Sequence, residues 1–367
     1  MRPWAFRQSA RDPCHCAELQ LLWTHDAAEP QRIGRVKKDV IILGAGAAGL
    51  MCAMEAGKRS RSVLVLEHAE RLGKKILISG GGRCNFTNAN AGPENYLSAN
   101  PHFCKSALAR FTPDDFLALV EKYRIPYHEK KLGQLFCDVS SKSIVELLEA
   151  ECRAAHVQIR LDCRVQEISM SVGFRLETSQ GQFESDALVV ATGGLSFPKL
   201  GATGFGYRIA EQFGLKITEV RPGLVPLTFA PEEQTWLGEL SGVSLDVEVS
   251  CAGQTFRENL LLTHKGLSGP AILQISNYSG PGEAISINLL PEQSAADLLA
   301  QHQGGHRELI TVLSQYLPRR FVQQWCARFA PRAPCPAILR RSSRPSRTSC
   351  IIGSSAPKSP KAMPRRK

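Results

Sequence analysis

The stretch Asp39-Val-Ile-Ile-Leu-Gly-Ala-Gly-Ala-Ala-Gly-Leu-Met-Cys-Ala53 decides the fold. Asp39 to Leu43 is a short apolar run of the kind that forms a buried parallel strand. Gly44, Gly46 and Gly49 have GxGxxG spacing, and Ala47 to about Arg59 continues as a helix. Ser62-Val-Leu-Val-Leu-Glu67 is a second apolar strand ending in an acid. The glycines do different physical jobs. Gly44 permits the tight strand-to-helix turn, Gly46 lets backbone approach a pyrophosphate, and Gly49 lets helix and strand pack closely. The helix start then offers unpaired amides and a positive dipole end to phosphate. Glu67, eighteen residues after Gly49, is placed to grip a ribose diol, which suits FAD or NAD better than NADP. A lone GxGxxG is weak; strand, glycines, helix, strand and acid in order make a strong signal.

Outward from this unit the chain stays glycine-rich at intervals. Arg71-Leu-Gly-Lys-Lys-Ile-Leu-Ile-Ser-Gly-Gly-Gly-Arg-Cys-Asn-Phe-Thr-Asn88 holds three consecutive glycines followed by a cluster of donors. Such a run cannot stabilise a helix or strand interior and marks close backbone approach. Ala187-Leu-Val-Val-Ala-Thr-Gly-Gly194 is another buried strand ending in Gly-Gly, and Gly201-Ala-Thr-Gly-Phe-Gly206 follows it. Val243-Ser-Leu-Asp-Val-Glu-Val-Ser and Ala284-Ile-Ser-Ile-Asn-Leu alternate as half-buried strands do.

Three long segments, RLGKKILISGGGRCNFTN, VVATGGLSFPKLGATGFGY and LLTHKGLSGPAILQIS, resemble signatures of the BaiN/YhiN-like flavoproteins, also labelled aminoacetone-oxidase-like. The likeness runs from about Lys37 to about Gln324. It implies an α/β fold: a glutathione-reductase-type, FAD-binding Rossmann domain with an inserted β-rich cap domain. It implies FAD as cofactor, NAD(P)H as a reductant for some members, and a small-molecule substrate; reduction of a C=C bond in a steroid-like compound is represented in the family. Carried over by motif, Gly44, Ala45, Gly46, Ala48, Gly49 and Glu67 would hold the ADP half. Lys75, Ser79, Gly81, Arg83, Cys84 and Asn85 would approach pyrophosphate and flavin. Val165 would contact adenine through its backbone, and Ala191, Thr192 and Gly193 would pass close to the cofactor.

Catalytic residues stay open, with Arg83, Cys84 and His264 as candidates. Cys84 could be a redox thiol, yet a cysteine without a CxxC partner is more often a small buried residue. Arg83 could neutralise phosphate or reduced flavin, or only pin its loop. His264 could donate a proton, or be structural. No metal site is expected.

The 367 residues suffice for two domains, and 43% hydrophobic with 22% charged residues is the composition of a soluble globular protein. No run of 18 apolar residues is present and no secretory signal is legible, so a cytoplasmic protein without a membrane partner is expected. Twelve cysteines without paired metal-ligand spacing fit reduced thiols. The net charge of +11 is concentrated at one end: Leu309 to Lys367 holds thirteen Lys and Arg and no Asp or Glu. Residues 37–308 hold 27 basic and 30 acidic side chains, which argues against a basic groove and a specific nucleic-acid partner.

The expected organisation is an extra, disordered segment over 1–36, the FAD domain over 37–219, the cap over 220–325, and a basic disordered tail over 326–367. Family members return to the FAD domain with a final strand and a segment of the form GLYFAGEVLDVDGxxGGYNxQWA, which this sequence lacks. An unpaired strand edge and exposed apolar surface are therefore expected. Both ends read as products of a shifted frame or misassigned start. The alternative to an active enzyme is a truncated, non-catalytic remnant with impaired FAD binding; a tail that binds polyanions through charge alone is a further one.

Overall fold

The computed structural model describes residues 36–228, 231–280, 283–302 and 308–329. The chain divides into two compact units after Ile217. In the first, β1 (Val36–Leu43), α1 (Ala47–Lys58) and β2 (Val63–Leu66) form the expected βαβ unit, with β1 and β2 parallel and Leu43 opposite Leu66. The chain continues through α2 (Lys74–Ile78), β3 (Asn85–Asn88), α3 (Lys105–Arg110), α4 (Pro113–Lys122), β4 (Tyr127–Glu129), β5 (Gln134–Cys137) and α5 (Lys142–Ala154). Then come β6 (Gln158–Arg160), β7 (Val165–Met170), β8 (Phe174–Thr178), β9 (Gly181–Val190) and α6 (Phe205–Gln212).

These strands make a six-stranded sheet in the order β6-β2-β1-β9-β8-β7, with β3, β5 and β4 in a small separate sheet. Strands β6, β2, β1 and β9 run parallel, and β8 and β7 complete the sheet as an antiparallel meander. Side chains alternate across the sheet, so neighbouring residues of β1 serve opposite cores. Ile42, Val63 and Val65 pack with Leu50 and Met54 of α1 and with Leu147 and Leu148 of α5. Ile41, Leu43, Leu64 and Leu66 pack with Leu176, Phe183 and Ile209 on the other face. Burying each such side chain contributes about 1.5–3 kcal/mol. A central strand buried on both faces is what the continuous apolar run over Val40–Leu43 demands.

One polar knot fastens the α1 side. Glu151 of α5 is only 3% exposed, and its carboxylate accepts from Lys122 Nζ at 2.5 Å, Tyr123 Oη at 2.9 Å and Lys58 Nζ at 3.0 Å. Burial pushes its pKa up, but these three donors outweigh burial and hold it down at about 2.

Strand β9 is asymmetric. Phe183–Ser185 lie between β8 and β1, whereas Ala187–Val190 pair with β1 alone among the described residues. Val190 is 42% exposed and Phe197, just beyond the strand, 46%.

The second unit is β-rich, with β10 (Leu227–Thr228), α7 (Pro231–Gly238), β11 (Ser244–Cys251), β12 (Gln254–Leu262), β13 (Gly266–Ser268), α8 (Pro270–Ile275) and β14 (Ser286–Asn288). Its antiparallel sheet has the order β10-β13-β12-β11-β14. Three helices follow, α9 (Ala295–Ala300), α10 (Leu309–Leu313) and α11 (Arg319–Phe329). Val247 and Val249 of β11, Leu260 of β12, Ile272 of α8 and Val322 of α11 share one core. The helix α11 runs four residues past Trp325, where order was expected to end. Cys326 is buried, and the Phe329 ring sits 5.6 Å from both Trp236 and Trp325. The segments expected to be disordered, 1–35 and 330–367, lie outside the described residues. No helix among the described residues is long and apolar enough to cross a membrane.

Candidate functional site

A cavity of about 1480 Å³ lies within the first unit, at the ends of β1, β2 and β9. It exceeds the roughly 300–1,000 Å³ of pockets that hold drug-sized ligands. The β1–α1 corner forms its floor, and its three glycines serve by different means. Gly44 has φ +102°, and a Cβ there would stand 2.6 Å from the Ala191 carbonyl oxygen. At Gly49 a Cβ would meet the Gly44 carbonyl oxygen at 1.9 Å, so only glycine lets α1 lie this close to the turn. Around Gly46 there is no atom within 4 Å of that point, leaving open space beside the backbone. Gly49 therefore acts by packing and does not line the cavity, while Gly44, Ala45, Gly46 and Ala48 do. The first amides of α1 have no intrahelical acceptor and lie at the positive end of its dipole.

Glu67, at the end of β2, is buried and already occupied. Its Oε2 accepts the Ala45 amide at 2.7 Å, and its Oε1 accepts the Ala69 amide at 2.9 Å and lies 3.0 Å from His68 Nδ1. A carboxylate offers about four lone-pair positions, so capacity for a hydroxyl donor remains. Glu67 thus shapes the glycine turn as well as facing the cavity, a double role the strand-terminal acid alone did not reveal.

The second glycine loop supplies another wall. Lys75 of α2 donates to Ser196 Oγ at 2.6 Å and stands 5.7 Å over the Phe197 ring, linking α2 to the segment after β9. Ser79, Cys84 and Asn85 line the cavity, as do Ala191, Thr192 and Gly193. Gly193 has φ +73° and open space around its Cβ position. Val165 lines the cavity too, near Phe174 and Phe213, whose rings meet edge to face at 5.7 Å. Phe174 and Phe213 carried no sequence signal, being thirty-nine residues apart.

Of the expected residues, Gly81 and Arg83 are exposed and do not line the cavity. The Arg83 carbonyl accepts the Cys137 amide at 3.0 Å, which is loop pinning through its backbone. His264 is exposed at the β12–β13 turn of the second unit, where the Thr263 hydroxyl donates to the Gly266 carbonyl. Cys84 alone of the three catalytic candidates lines the cavity. It is 5% exposed with φ +51°, and burial pushes its thiol pKa up, so it keeps its proton at neutral pH. The eight cysteines among the described residues are all free, and no cluster of metal-ligating side chains occurs among those residues.

Charge in the wall is one-sided. Arg71, Lys74, Lys75, Arg164 and Arg208 line the cavity against a single acid, Glu67. The near balance over 37–308 averages two different stretches. Residues 36–217 hold twenty-three basic and nineteen acidic side chains, and 218–308 hold four and eleven. Removing the lining residues leaves residues 36–217 with eighteen of each, so the excess positive charge of that stretch lines the cavity.

The cavity fits a dinucleotide: open backbone at Gly46, free amides at α1, a carboxylate at β2, and an apolar slot beside Val165. Residues 38–266 match the family described as HI0933-like protein Rossmann domain, and residues 221–342 match its barrel and H2TH domain. The chain is 50% identical over 290 residues to the ribosomal RNA dihydrouridine synthase of Escherichia coli (strain K12), covering 78% of this chain and 72% of that one. It is 47% identical to the protein of the same name from Haemophilus influenzae (strain ATCC 51907 / DSM 11121 / KW20 / Rd), over 78% and 73%. It is also 31% identical to a 3-dehydro-bile acid delta(4,6)-reductase of Clostridium scindens (strain ATCC 35704 / DSM 5676 / VPI 13733 / 19), over 82% and 74%.

Proposed function

The chain belongs to the HI0933-like family of FAD-dependent oxidoreductases, and from that premise we propose that it reduces a carbon–carbon double bond conjugated to a carbonyl, with uracil in RNA as the substrate. The two reactions named for its relatives share this chemistry. Making dihydrouridine adds two hydrogens across the C5–C6 bond of uracil, and a Δ4,6-reductase saturates bonds in conjugation with a ketone. In both, the carbonyl makes the far carbon electron-poor.

Bound FAD supplies a hydride donor, replenished by NADH or NADPH of the cytoplasm. The chain's own residues do the rest. The start of α1 and the bare backbone at Gly46 bind the diphosphate, and Glu67 fixes the glycine turn while accepting from the ribose. Val165 and Phe174 take the adenine end. Lys75, held by Ser196, fixes positive charge at the opposite wall. Cys84, which lines the cavity and keeps its proton at neutral pH, is the side chain that would supply the proton to the second carbon of the substrate.

The glycine-lined corner with its open Gly46 face carries the cofactor half of this reading, and the 50% identity to the ribosomal RNA dihydrouridine synthase of Escherichia coli (strain K12) supports the substrate half. The test is anaerobic: FAD-loaded protein is reduced with NADH or NADPH, and uridine-containing RNA is added. Return of the oxidised flavin spectrum, together with nucleosides heavier by two hydrogens on digestion, is expected. Reoxidation by a bile-acid enone and not by RNA would replace the uracil reading with the steroid one. Reduced flavin that neither compound reoxidises would end both.

A further inference from the structure

We infer that Arg71, Lys74, Arg164 and Arg208 form a phosphate-binding rim that holds single-stranded RNA around the cavity. The inference rests on the uracil reading above and adds the residues that would grip the polymer.

The argument is one of charge in excess of what the cofactor needs. A dinucleotide brings two negative charges, and the start of α1 meets them with backbone amides and the helix dipole, without any Lys or Arg. Lys75 is engaged by Ser196. Four cations remain in the lining. Lys74 and Arg164 have no carboxylate or ring partner among the described residues, Arg208 stacks 5.6 Å over the Phe205 ring with no carboxylate partner among them, and Arg71 pairs only with exposed Glu70, a contact worth at most about 1 kcal/mol. Unpaired cations lining a cavity repel one another and are retained at a cost unless an anion visits. The rest of residues 36–217 is balanced in charge, so within that stretch the excess is local to the cavity. The four cations come from separate segments: Arg71 and Lys74 lie at the start of the second glycine loop, Arg164 just before β7, and Arg208 on α6. A single carboxylate would occupy one such position. A polymer with a phosphate at every nucleotide can occupy several, and a single strand leaves its bases free to enter a pocket.

The experiment is salt-dependent binding of a labelled, uridine-containing single-stranded RNA to FAD-loaded full-length protein, with the flavin spectrum confirming loading of each variant. Each phosphate neutralised contributes about 0.7 to the slope of log K against log salt, so four contacts predict a slope near −2.8. Arg164→Gln combined with Arg208→Gln is expected to flatten the slope by about 1.4 and weaken binding at least tenfold at low salt. Lys105→Gln with Arg110→Gln, on α3 and away from the cavity lining, is the control and should leave the slope unchanged. Equal flattening in both pairs, or none in the first, overturns the rim. So does rim-dependent binding of a carboxylated steroid without RNA binding. Uridine reduction with unaltered slopes would uphold the function and sink the rim; altered slopes without uridine reduction would do the reverse.

Discussion

The two units of this chain treat charge and glycine differently. Within residues 36–217 every excess cation lines one cavity; residues 218–308 carry seven more acids than bases, and residues 309–367 carry thirteen bases and no acid. Glycines show the same division. Gly49 of the first unit and Gly266 of the second both forbid a Cβ, at 1.9 Å from the Gly44 carbonyl and 1.8 Å from the Leu227 carbonyl. One clash would close a ligand-binding corner, and the other would push β10 away from β13 in the second unit's sheet. The lesson is that identical local chemistry acquires function from what lies across from it.

Paired substitutions sharpen this contrast. The largest effect is expected for Gly49→Ala and Gly266→Ala, each losing about 3 kcal/mol or more because backbone must move. Thermal melting should show both losses, yet only Gly49→Ala should emerge colourless from gel filtration after FAD loading. If Gly266→Ala is equally colourless, the division of labour between the units is wrong.

Next in size is Glu151→Gln, which leaves Lys58 and Lys122 without their shared carboxylate. Because the folded pKa of about 2 lies below the ordinary carboxylate value near 4.3, the stabilisation is present above about pH 4.5 and is lost as pH falls towards 2. Urea unfolding at pH 7 should show the variant weaker by roughly 2 kcal/mol, with most of that difference gone at pH 2.5. A difference that persists undiminished in acid would remove Glu151 from the ionic account.

The smallest effects separate backbone cost from ligand cost. Gly193 and Gly253 have φ of +73° and +78°, with open space around both. Alanine at either should cost about 1–2 kcal/mol in the melt. Gly193→Ala should also weaken FAD affinity, measured by flavin fluorescence titration, since Gly193 lines the cavity and Gly253 does not. Equal flavin affinities would show that the Gly193 backbone needs no closeness to the cofactor.

The β1–α1–β2 unit was legible in the sequence because its signals are local: an apolar run, three spaced glycines, a helical period and a terminal acid. Lys75, Ser79, Cys84 and Asn85 were legible by motif, and the structure brings them to one wall. What could not be read are contacts made by tertiary packing. Ser196 meets Lys75 across 121 residues of sequence, and Phe174 meets Phe213 across a strand and a helix. The basic lining was hidden for another reason: a sum over 37–308 cancels the acidic stretch 218–308 against a basic cavity. Arg83 and His264 had the right chemistry, but Arg83 is turned outward from the cavity wall and His264 sits on an exposed turn of the second unit.

The half-paired strand β9 carries a last consequence. Val190 belongs both to its open edge and to the cavity lining, and Ala191 follows directly. Any extended backbone that docks along Ala187–Val190 would cap amides and carbonyls that have no second strand partner among the described residues and, in the same event, cover this side of the cavity lining. Docking and ligand retention are then thermodynamically linked, and each raises the apparent strength of the other by the same factor.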